Sequence, residues 1–179
     1  MFGAGDANPG TYIAESDPLS NDPIIGTNGN DYLTGNDKND SITGGLGSDT
    51  LLGGGGNDFL VGVSPTTTNP GKGEIDYLTG DAGYDTFALG NSSKAYYDDT
   101  VATNKGLADY GRIRDFVLGQ DRIQLYSGKS YSLGASPSGL PTGTAIYTNS
   151  SGTLELIGVV EGVSSSTLLN NFNSAVSFV

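Results

Sequence analysis

Aspartate recurs every nine residues in the first half of the chain, with one interruption at Thr67. Each of these aspartates is followed two positions later by an apolar residue, as Asp31 is followed by Leu33. Carboxylate oxygens are the ligands that hard divalent cations prefer, so side chains spaced in this way can together hold such ions. The aspartates concerned are Asp22, Asp31, Asp40, Asp49, Asp58, Asp76 and Asp85.

The nine-residue frames predict the elements that position these side chains. The last three residues of a frame follow an x-apolar-x pattern, which indicates a minimal strand whose middle side chain points inward. The first six residues are rich in Gly, Asn and Asp, which tolerate positive φ and form tight turns. Two frames then form one coil with strands on two faces and turns along two edges. We therefore predict an all-β fold, a right-handed parallel β-roll followed by a β-rich C-terminal cap.

Stacked coils bring the aspartates of alternate frames together. Coils stack about 4.8 Å apart, so Asp31 is expected beside Asp49 and Asp40 beside Asp58. Carboxylates about 5 Å apart repel by roughly 3 kcal/mol at an effective dielectric constant near 20. Residues 17–88 contain ten Asp and one Glu against two Lys. We predict that several Ca²⁺ ions stabilise the roll, because Ca²⁺ accepts about six to eight oxygens in flexible geometry whereas Mg²⁺ requires a strict octahedron.

The composition excludes several other kinds of site. The chain has neither Cys nor His, which removes Ser-His-Asp and Cys-His catalysis and the common zinc sites. Its net charge of −12 argues against a nucleic-acid partner. The sequence contains no apolar run of the roughly 18 to 20 residues that a membrane span requires, and its first residues do not resemble a cleavable signal peptide.

The frames GGLGSDTLL and GGGGNDFLV, residues 44–61, fit the pattern G-G-x-G-x-D-x-U-x, in which U is apolar. Over about residues 17–88 the chain resembles the RTX family of hemolysin-type calcium-binding repeats. The resemblance implies that each Ca²⁺ lies between two turns stacked on one edge. One turn supplies the carbonyls of positions two and four and its Asp, and the turn two frames later supplies the carbonyls of positions one and three and its Asp.

The resemblance implies four ligand sets and one further position. Asp85 occupies the aspartate position of the last frame and is included among the ligands. The sets are Thr27, Gly29 and Asp31 with Gly44, Leu46 and Asp49; Asn36, Lys38 and Asp40 with Gly53, Gly55 and Asp58; Gly54, Gly56 and Asp58 with Gly71, Gly73 and Asp76; and Asp22 with Asp40.

Residues 62–70, GVSPTTTNP, break the pattern, with Thr67 in place of Asp and Asn69 in place of an apolar residue. If this frame stays in the roll, Asp58 and Asp76 share an edge. If it loops out, the edges swap and Asp49 faces Asp76. We predict the first arrangement because the segment is one period long, which leaves Asp49 with a weak site or none. Pro65 and Pro70 favour the second.

Three regions are predicted: an N-terminal extension (1–16), the calcium-binding roll (17–88) and a capping or secretion region (89–179). Strands are predicted at residues 113–117, 123–125, 144–148, 154–160 and 175–179, and a helix near 164–172. Residues 85–87, 109–116 and 121–125 resemble the segment that follows the repeats in serralysin-type proteases and alginate epimerases. That resemblance gives Asp115 and Asp121 two readings, ligands of a terminal calcium or turn-forming residues.

The family resemblance and the charge together predict a non-enzymatic calcium-binding module of a secreted protein. Such a module is expected to leave the cell unfolded through the type I secretion machinery and to fold on extracellular Ca²⁺, alone or within a larger host polypeptide. The alternative is a calcium-dependent adhesion or matrix module that binds polysaccharide through exposed tyrosines. The tyrosines considered are Tyr96, Tyr97, Tyr126 and Tyr131.

Overall fold

The computed structural model describes residues 12–15, 23–99, 105–150 and 153–179. Neither of the two short helices in these ranges is long and apolar enough to cross a membrane. The strands are β1 (Tyr12–Glu15), β2 (Ile24–Ile25), β3 (Asp31–Thr34), β4 (Ser41–Gly45), β5 (Thr50–Gly55), β6 (Phe59–Val63), β7 (Ile75–Ala82), β8 (Thr86–Ala88), β9 (Tyr110–Ile113), β10 (Arg122–Leu125), β11 (Tyr131–Ala135), β12 (Gly143–Ser150), β13 (Thr153–Glu161) and β14 (Val176–Phe178), and the helices are α1 (Ser165–Asn170) and α2 (Phe172–Ala175).

Successive strands of the repeat region alternate between two sheets. Sheet A has the order β1-β3-β5-β7-β9-β13-β12-β11, and sheet B has the order β14-β10-β8-β6-β4-β2. Sheet B is parallel throughout, as is sheet A from β1 to β13, whereas β11, β12 and β13 form an antiparallel meander. The prediction of a parallel β-roll followed by a β-rich C-terminal region is confirmed.

The apolar side chain of each frame points into the space between the sheets. Leu33, Leu51 and Leu78 are in register in sheet A. In sheet B, Ile42 and Leu60 are in register with Phe87. These side chains are fully buried, and Ile24 is 7% exposed. The apolar position of the frame therefore builds the core, as the alternation of a strand requires.

Residues 62–70 do not form a coil of the roll. Strand β5 pairs directly with β7, which places Leu51 opposite Leu78. The prediction that this frame stays in the roll is wrong, and the looped-out alternative is correct. A coil here would place the Asn69 amide in the apolar stack, and Pro65 and Pro70 lack the backbone N–H that a ladder uses.

The looped-out segment is attached to the body of the protein by residues further along the chain. The Lys94 ammonium donates to the carbonyl oxygen of Thr67 at 2.7 Å, and the backbone N–H of Tyr97 donates to that of Pro70 at 2.8 Å. Tyr97 is itself fully buried. The insertion between β8 and β9 therefore packs against the insertion between β6 and β7.

Parallel pairing continues on both sides of residues 17–88. Ile113 lies opposite Leu78, and Ile123 lies opposite Phe87, so β9 and β10 extend the two core stacks. Strand β1, within the predicted N-terminal extension, pairs with β3. The sheets have no break at residue 88, where the repeat stops in the sequence, and the three-region division stays a prediction.

The C-terminal elements follow the sequence pattern with one exception. The predicted strands at 123–125, 144–148, 154–160 and 175–179 coincide with or overlap β10, β12, β13 and β14. Residues 115–117 are not a strand, because Asp115 turns back to accept backbone hydrogen bonds from Gly80 and Asp81. The predicted helix is present as α1 and α2, and Ser164 caps α1 by accepting from the backbone N–H of Thr167.

Candidate metal centre

Three aspartates stack in a column where the chain passes from sheet B to sheet A. We call Asp31, Asp49 and Asp76 the first seam. The backbone N–H of Asp31 donates to Oδ1 of Asp49 at 2.8 Å, and that of Asp49 donates to Oδ1 of Asp76 at 2.7 Å. All three side chains are buried, and Asp49 and Asp76 have no exposed surface. The first seam therefore places three carboxylates in one column that water does not reach.

Four aspartates form a second column on the opposite edge, where the chain passes from sheet A to sheet B. We call Asp40, Asp58, Asp85 and Asp121 the second seam. Each donates its backbone N–H to Oδ1 of the next, at 2.7 Å from Asp40, 2.9 Å from Asp58 and 3.0 Å from Asp85. These four side chains are also buried. Asp121 thus continues the column beyond the last repeat.

The first two predicted ligand sets are each brought together. In the first set, the carbonyl oxygen of Thr27 accepts from the backbone N–H of Leu46 at 3.0 Å, so the turns that carry Asp31 and Asp49 are joined by a second hydrogen bond. In the second set, the carbonyl oxygen of Asn36 accepts from the backbone N–H of Gly55 at 2.7 Å. Their binding of calcium stays a prediction. The members present in the two sets are Thr27, Gly29, Asp31, Gly44, Leu46 and Asp49, and Asn36, Lys38, Asp40, Gly53, Gly55 and Asp58.

The third predicted ligand set is wrong, because looping out one frame swaps the edges on which the later aspartates lie. Asp58 contacts Asp85 rather than Asp76. Gly54 and Gly56 belong to the turn that stacks on the turn of Asp85. The Gly56 N–H donates to the carbonyl oxygen of Ala82 in that later turn at 2.9 Å.

Gly71 and Gly73 lie in the insertion, and Gly71 packs against the ring of Tyr97. The prediction of a weak calcium site or none at Asp49 assumed that Thr67 is its partner in the later turn. That assumption is wrong, because the partner is Asp76. Asp22, of the fourth set, lies outside the described residues.

Four seam oxygens are buried without a hydrogen-bond partner among the described residues: Oδ1 of Asp40 and Oδ2 of Asp49, Asp58 and Asp85. Leaving a carboxylate oxygen buried and unpaired is unfavourable unless an ion or a proton occupies the site. The three Oδ2 atoms lie beside the turn glycines Gly44, Gly53 and Gly80 respectively. They therefore fit a role as ligands of a hard cation.

Glycine at position one of a frame leaves room where oxygens of two turns converge. A Cβ atom added to Gly44 would lie under 3.0 Å from both Oδ2 of Asp49 and the carbonyl oxygen of Gly62. A Cβ atom on Gly53 would lie equally close to Oδ2 of Asp58 and the carbonyl oxygen of Gly80. The same small space is thus lined by a carboxylate and a carbonyl in each seam, which is the donor set that Ca²⁺ prefers.

Glycine at position four allows the turns to stack closely. Gly47 has φ of +105° and Gly56 has φ of +107°, in the region that disfavours residues with a Cβ. An added Cβ at either site would also collide with the backbone of the turn below, at Gly29 or Lys38 respectively. The Gly-rich composition of the turns follows from this spacing between coils.

The pKa values of four seam carboxylates are raised, because burial disfavours the charged form. Burial raises the pKa of Asp49 to about 8, and the negative charges of Asp76 and Asp31 add to the shift. Burial likewise raises the pKa of Asp58 and of Asp76 to about 7, and that of Asp85 to about 6. Without a cation, the folded roll would therefore hold several of these carboxylates as acids near neutral pH.

The calcium-free roll is expected to lose stability as the pH rises from about 4 to about 8. The folded pKa of Asp49, about 8, lies above its ordinary value of 3.8, so the fold is most stable below this ordinary value, where the carboxyl is protonated in both states. Stability is then lost as the pH rises up to the folded pKa values, which are about 6 for Asp85 and about 8 for Asp49. With saturating Ca²⁺ the trend should reverse, because protons compete with the metal.

The measurement for this pH dependence is the β signal in circular dichroism, recorded in EGTA and in Ca²⁺ at pH values from about 4 to about 8. A β signal in EGTA that rises with pH would contradict the assignment of buried, cation-free carboxylates to the seams.

Two groups beside the first seam were missed by the sequence analysis. Glu74 is 9% exposed; its Oε1 accepts from the backbone N–H of Gly47 at 2.9 Å, and its Oε2 has no partner among the described residues. The hydroxyl of Tyr97 donates to Oδ2 of Asp76 at 2.7 Å. An acid at position four of the frame GKGEIDYLT was a usable signal for Glu74. Tyr97 lies outside the repeat and offered none.

Asp115 and Asp121 both bind backbone N–H groups with both carboxylate oxygens. Asp115 accepts from Gly80 at 3.0 Å and from Asp81 at 2.7 Å. Oδ1 of Asp121 accepts from Asp85 and its Oδ2 accepts from Val117 at 2.7 Å. These contacts are those of turn-forming residues, and a terminal calcium at this pair stays a prediction.

A family model for the RTX calcium-binding nonapeptide repeat matches residues 25–60 in four copies. The RTX match contains the first two aspartates of each seam and ends before Asp76 and Asp85. The structure adds these later aspartates to the same columns, on the opposite edges from those that uninterrupted RTX counting assigns.

No curated protein matches the chain. Among solved structures, the chain is similar to the solution structure of the AlgE6R3 subunit of the Azotobacter vinelandii mannuronan C5-epimerase. The identity is 24%, the TM-score is 0.47, and the match covers 91% of this chain and 84% of that one.

Proposed function

We propose that this chain is a non-catalytic calcium-binding module of a secreted protein, and that its roll folds when it meets extracellular Ca²⁺. The observation that supports the proposal best is the pair of seams, in which buried carboxylate oxygens lack partners. The RTX repeats within them supply the family evidence for calcium.

The charge of the seams calls for a cation from outside the chain. The ion pairs Arg112–Glu161 and Lys129–Asp98 both involve residues outside the seams. In the first seam, the charged groups that perturb Asp49 are other acids, namely Asp76, Asp31 and Glu74. A divalent ion between successive turns offsets two negative charges and uses the unpaired oxygens as ligands.

Binding and folding are coupled in this proposal because the sites exist only in the stacked structure. The ligands of each site come from turns a whole coil apart, as Asp31 and Asp49 do. An unfolded chain presents no such site, so Ca²⁺ binds the folded state preferentially and stabilises it by mass action. The coupling makes the module a switch that responds to the calcium concentration.

The non-catalytic part of the proposal is supported by where the acids lie. Carboxylate-pair glycosidases need two acids that face a substrate cleft about 5 to 10 Å apart. The seam aspartates are instead buried and contact one another through the backbone. Tyr96 and Tyr97, which the adhesion alternative treated as exposed, are 3% and 0% exposed and pack in the core. That expectation of exposure was wrong, and the adhesion alternative is weaker for it.

The proposal is tested by circular dichroism of the whole chain in EGTA, followed by titration with Ca²⁺. The β spectrum is expected to be lost in EGTA and to return cooperatively, with a midpoint of about 10⁻⁴ to 10⁻³ M, the range of extracellular calcium modules. Mg²⁺ at the same concentrations is the control and should restore much less structure.

Two results would count against this function. A complete β spectrum in EGTA would contradict calcium-coupled folding. A calcium midpoint below about 10⁻⁷ M would contradict the secretion part, because the roll would then fold at the calcium levels of cytosolic sensors, before export through the type I machinery.

A further inference from the structure

Three buried acids outside the seams form a cluster of their own. Asp99, Asp109 and Glu155 each place a carboxylate oxygen within 4.8 Å of the others. Asp99 is 8% exposed, Asp109 is 0% exposed and Glu155 is 2% exposed. We call these residues the acidic cluster. Asp109 immediately precedes β9, Glu155 lies in β13, and Asp99 lies in the insertion that follows β8.

Oxygens of the acidic cluster are buried without partners. Oε1 of Glu155 has no hydrogen-bond partner among the described residues. The Asp109 carboxylate accepts no hydrogen bond of normal geometry from those residues, although the backbone N–H of Gly73 approaches it. The Oγ1 of Thr148 is also buried, and it too has no hydrogen-bond partner among the residues that the structure describes. Thr148 is the direct cross-strand partner of Glu155 in the antiparallel pair β12–β13, so the two side chains share one face of sheet A.

The backbone around the cluster is held in place by long-range contacts. The N–H of Leu156, next to Glu155, donates to the carbonyl oxygen of Lys105 at 3.1 Å. The N–H of Tyr110, next to Asp109, donates to the carbonyl oxygen of Glu74 at 3.1 Å. Two of the three acids are therefore positioned by hydrogen bonds of their chain neighbours, and their proximity does not depend on flexible surface side chains.

The electrostatics of the cluster resemble those of the seams. Burial and the charge of Asp99 raise the pKa of Asp109 to about 6, with the backbone N–H of Gly73 and the Lys72 ammonium acting in the opposite direction. Burial and then a hydrogen bond to Asp99 raise the pKa of Glu155 to about 8. Asp98 adds negative charge to both, although it is paired with Lys129.

We propose that Asp99, Asp109 and Glu155 form a Ca²⁺ site separate from the RTX repeats, with the Thr148 hydroxyl as a neutral ligand. The donors are all oxygen, which selects a hard cation over zinc or copper. Ca²⁺ binds oxygen at about 2.3 to 2.6 Å, so ligands on opposite sides of it lie about 5 Å apart, close to the spacing here. Mg²⁺, at about 2.0 to 2.1 Å, requires a smaller cage.

The site differs from the seams in what it connects. Seam ions join turns of adjacent coils, whereas this ion joins the insertion after β8, the start of β9 and the strand β13. Calcium therefore fastens the antiparallel meander and the insertion to the end of the roll. The cluster lies outside residues 25–60, the extent of the RTX match.

The direct test is crystallographic and uses the wild-type chain. Crystals grown in Ca²⁺ are soaked with Tb³⁺, and the anomalous difference map is calculated. A peak is expected among Asp99, Asp109 and Glu155, in addition to peaks along the seams. Peaks along the seams with none in the cluster would overturn this proposal and leave the function of the repeats intact.

A solution experiment separates metal binding from a cluster that merely shares protons. Asp109→Asn is compared with Asp37→Asn, which removes the same charge from an exposed side chain. Asp109→Asn is expected to bind one Ca²⁺ fewer by equilibrium dialysis and to show a smaller calcium-induced rise in the unfolding midpoint. In EGTA it should retain at least as much β structure as wild type, because one of the three buried acids is gone.

Equal calcium numbers for Asp109→Asn and Asp37→Asn would overturn the site and favour acids that share protons. If Asp109→Asn does not fold even in saturating Ca²⁺, the anomalous map of the wild-type crystals decides, because that test needs no variant. A map without a peak in the acidic cluster then overturns the site, and a peak there supports it.

Discussion

Asp49→Asn is expected to weaken calcium-induced folding by at least about tenfold in calcium concentration, equivalent to about 1.4 kcal/mol. Asp49 occupies the centre of the first seam, with Asp31 on one side and Asp76 on the other. Two successive calcium sites therefore lose a charged ligand at once. The amide oxygen can still accept from the Asp31 N–H, so the backbone contact persists and the loss reports charge and ligation.

The same variant should behave in the opposite way without calcium. Burial and the neighbouring acids raise the pKa of Asp49 to about 8, so the calcium-free fold must protonate this side chain near neutral pH, a cost that asparagine does not have. Asp49→Asn is thus expected to retain more β structure than wild type in EGTA and to be less stable in Ca²⁺. Replacement of a purely structural aspartate would reduce folding in both.

The measurement is calcium titration by circular dichroism, which starts from the β signal in EGTA, together with urea unfolding in saturating Ca²⁺. Asp37→Asn is the matched control, since Asp37 is exposed and lies in a turn of the same repeat region. If Asp49→Asn and Asp37→Asn respond to calcium alike, the first seam is not a calcium site.

The periodic part of the molecule could be predicted from the sequence because each frame carries its own structural information. An apolar residue two positions after an aspartate defines both a strand and the direction of its side chain. Leu33, Ile42, Leu51 and Leu60 are accordingly all buried. The stacking of Asp31 on Asp49, and of Asp40 on Asp58, follows from the same counting.

Counting in steps of nine residues failed at the frame that lacks the defining residues of the repeat. The frame at residues 62–70 has the length of a coil half but lacks both residues that make one, the aspartate and the apolar side chain. Its length favoured the wrong topology, and one looped-out frame moves Asp76 and Asp85 to the opposite edges from those predicted. The polar amide of Asn69 is unfavourable in the apolar core, and this residue type was a better predictor of the topology than the length of the frame.

The remaining features depend on contacts between distant and non-repetitive segments. The hydrogen bond from Tyr97 to Asp76 joins the insertion after β8 to strand β7, and no sequence period relates these two segments. The acidic cluster brings together Asp99, Asp109 and Glu155 from non-repetitive parts of the chain. Residue type alone gives no reason to bring them together, so only the tertiary structure reveals them.

Gly44→Ala is expected to destabilise the calcium-bound roll by about 3 kcal/mol or more, at the upper end of overpacking effects. Its Cβ would lie under 3.0 Å from both Oδ2 of Asp49 and the backbone oxygen of Gly62, and the backbone cannot yield without parting two coils. The methyl group would also fill the space where these oxygens converge.

Calcium affinity should therefore fall together with stability, which urea unfolding and calcium titration measure separately. Gly29→Ala is the control, because its Cβ would meet only Thr27 Oγ1 at 3.9 Å, and it should change both quantities little. If the two variants bind calcium equally well, the converging oxygens at Gly44 do not form the ion site.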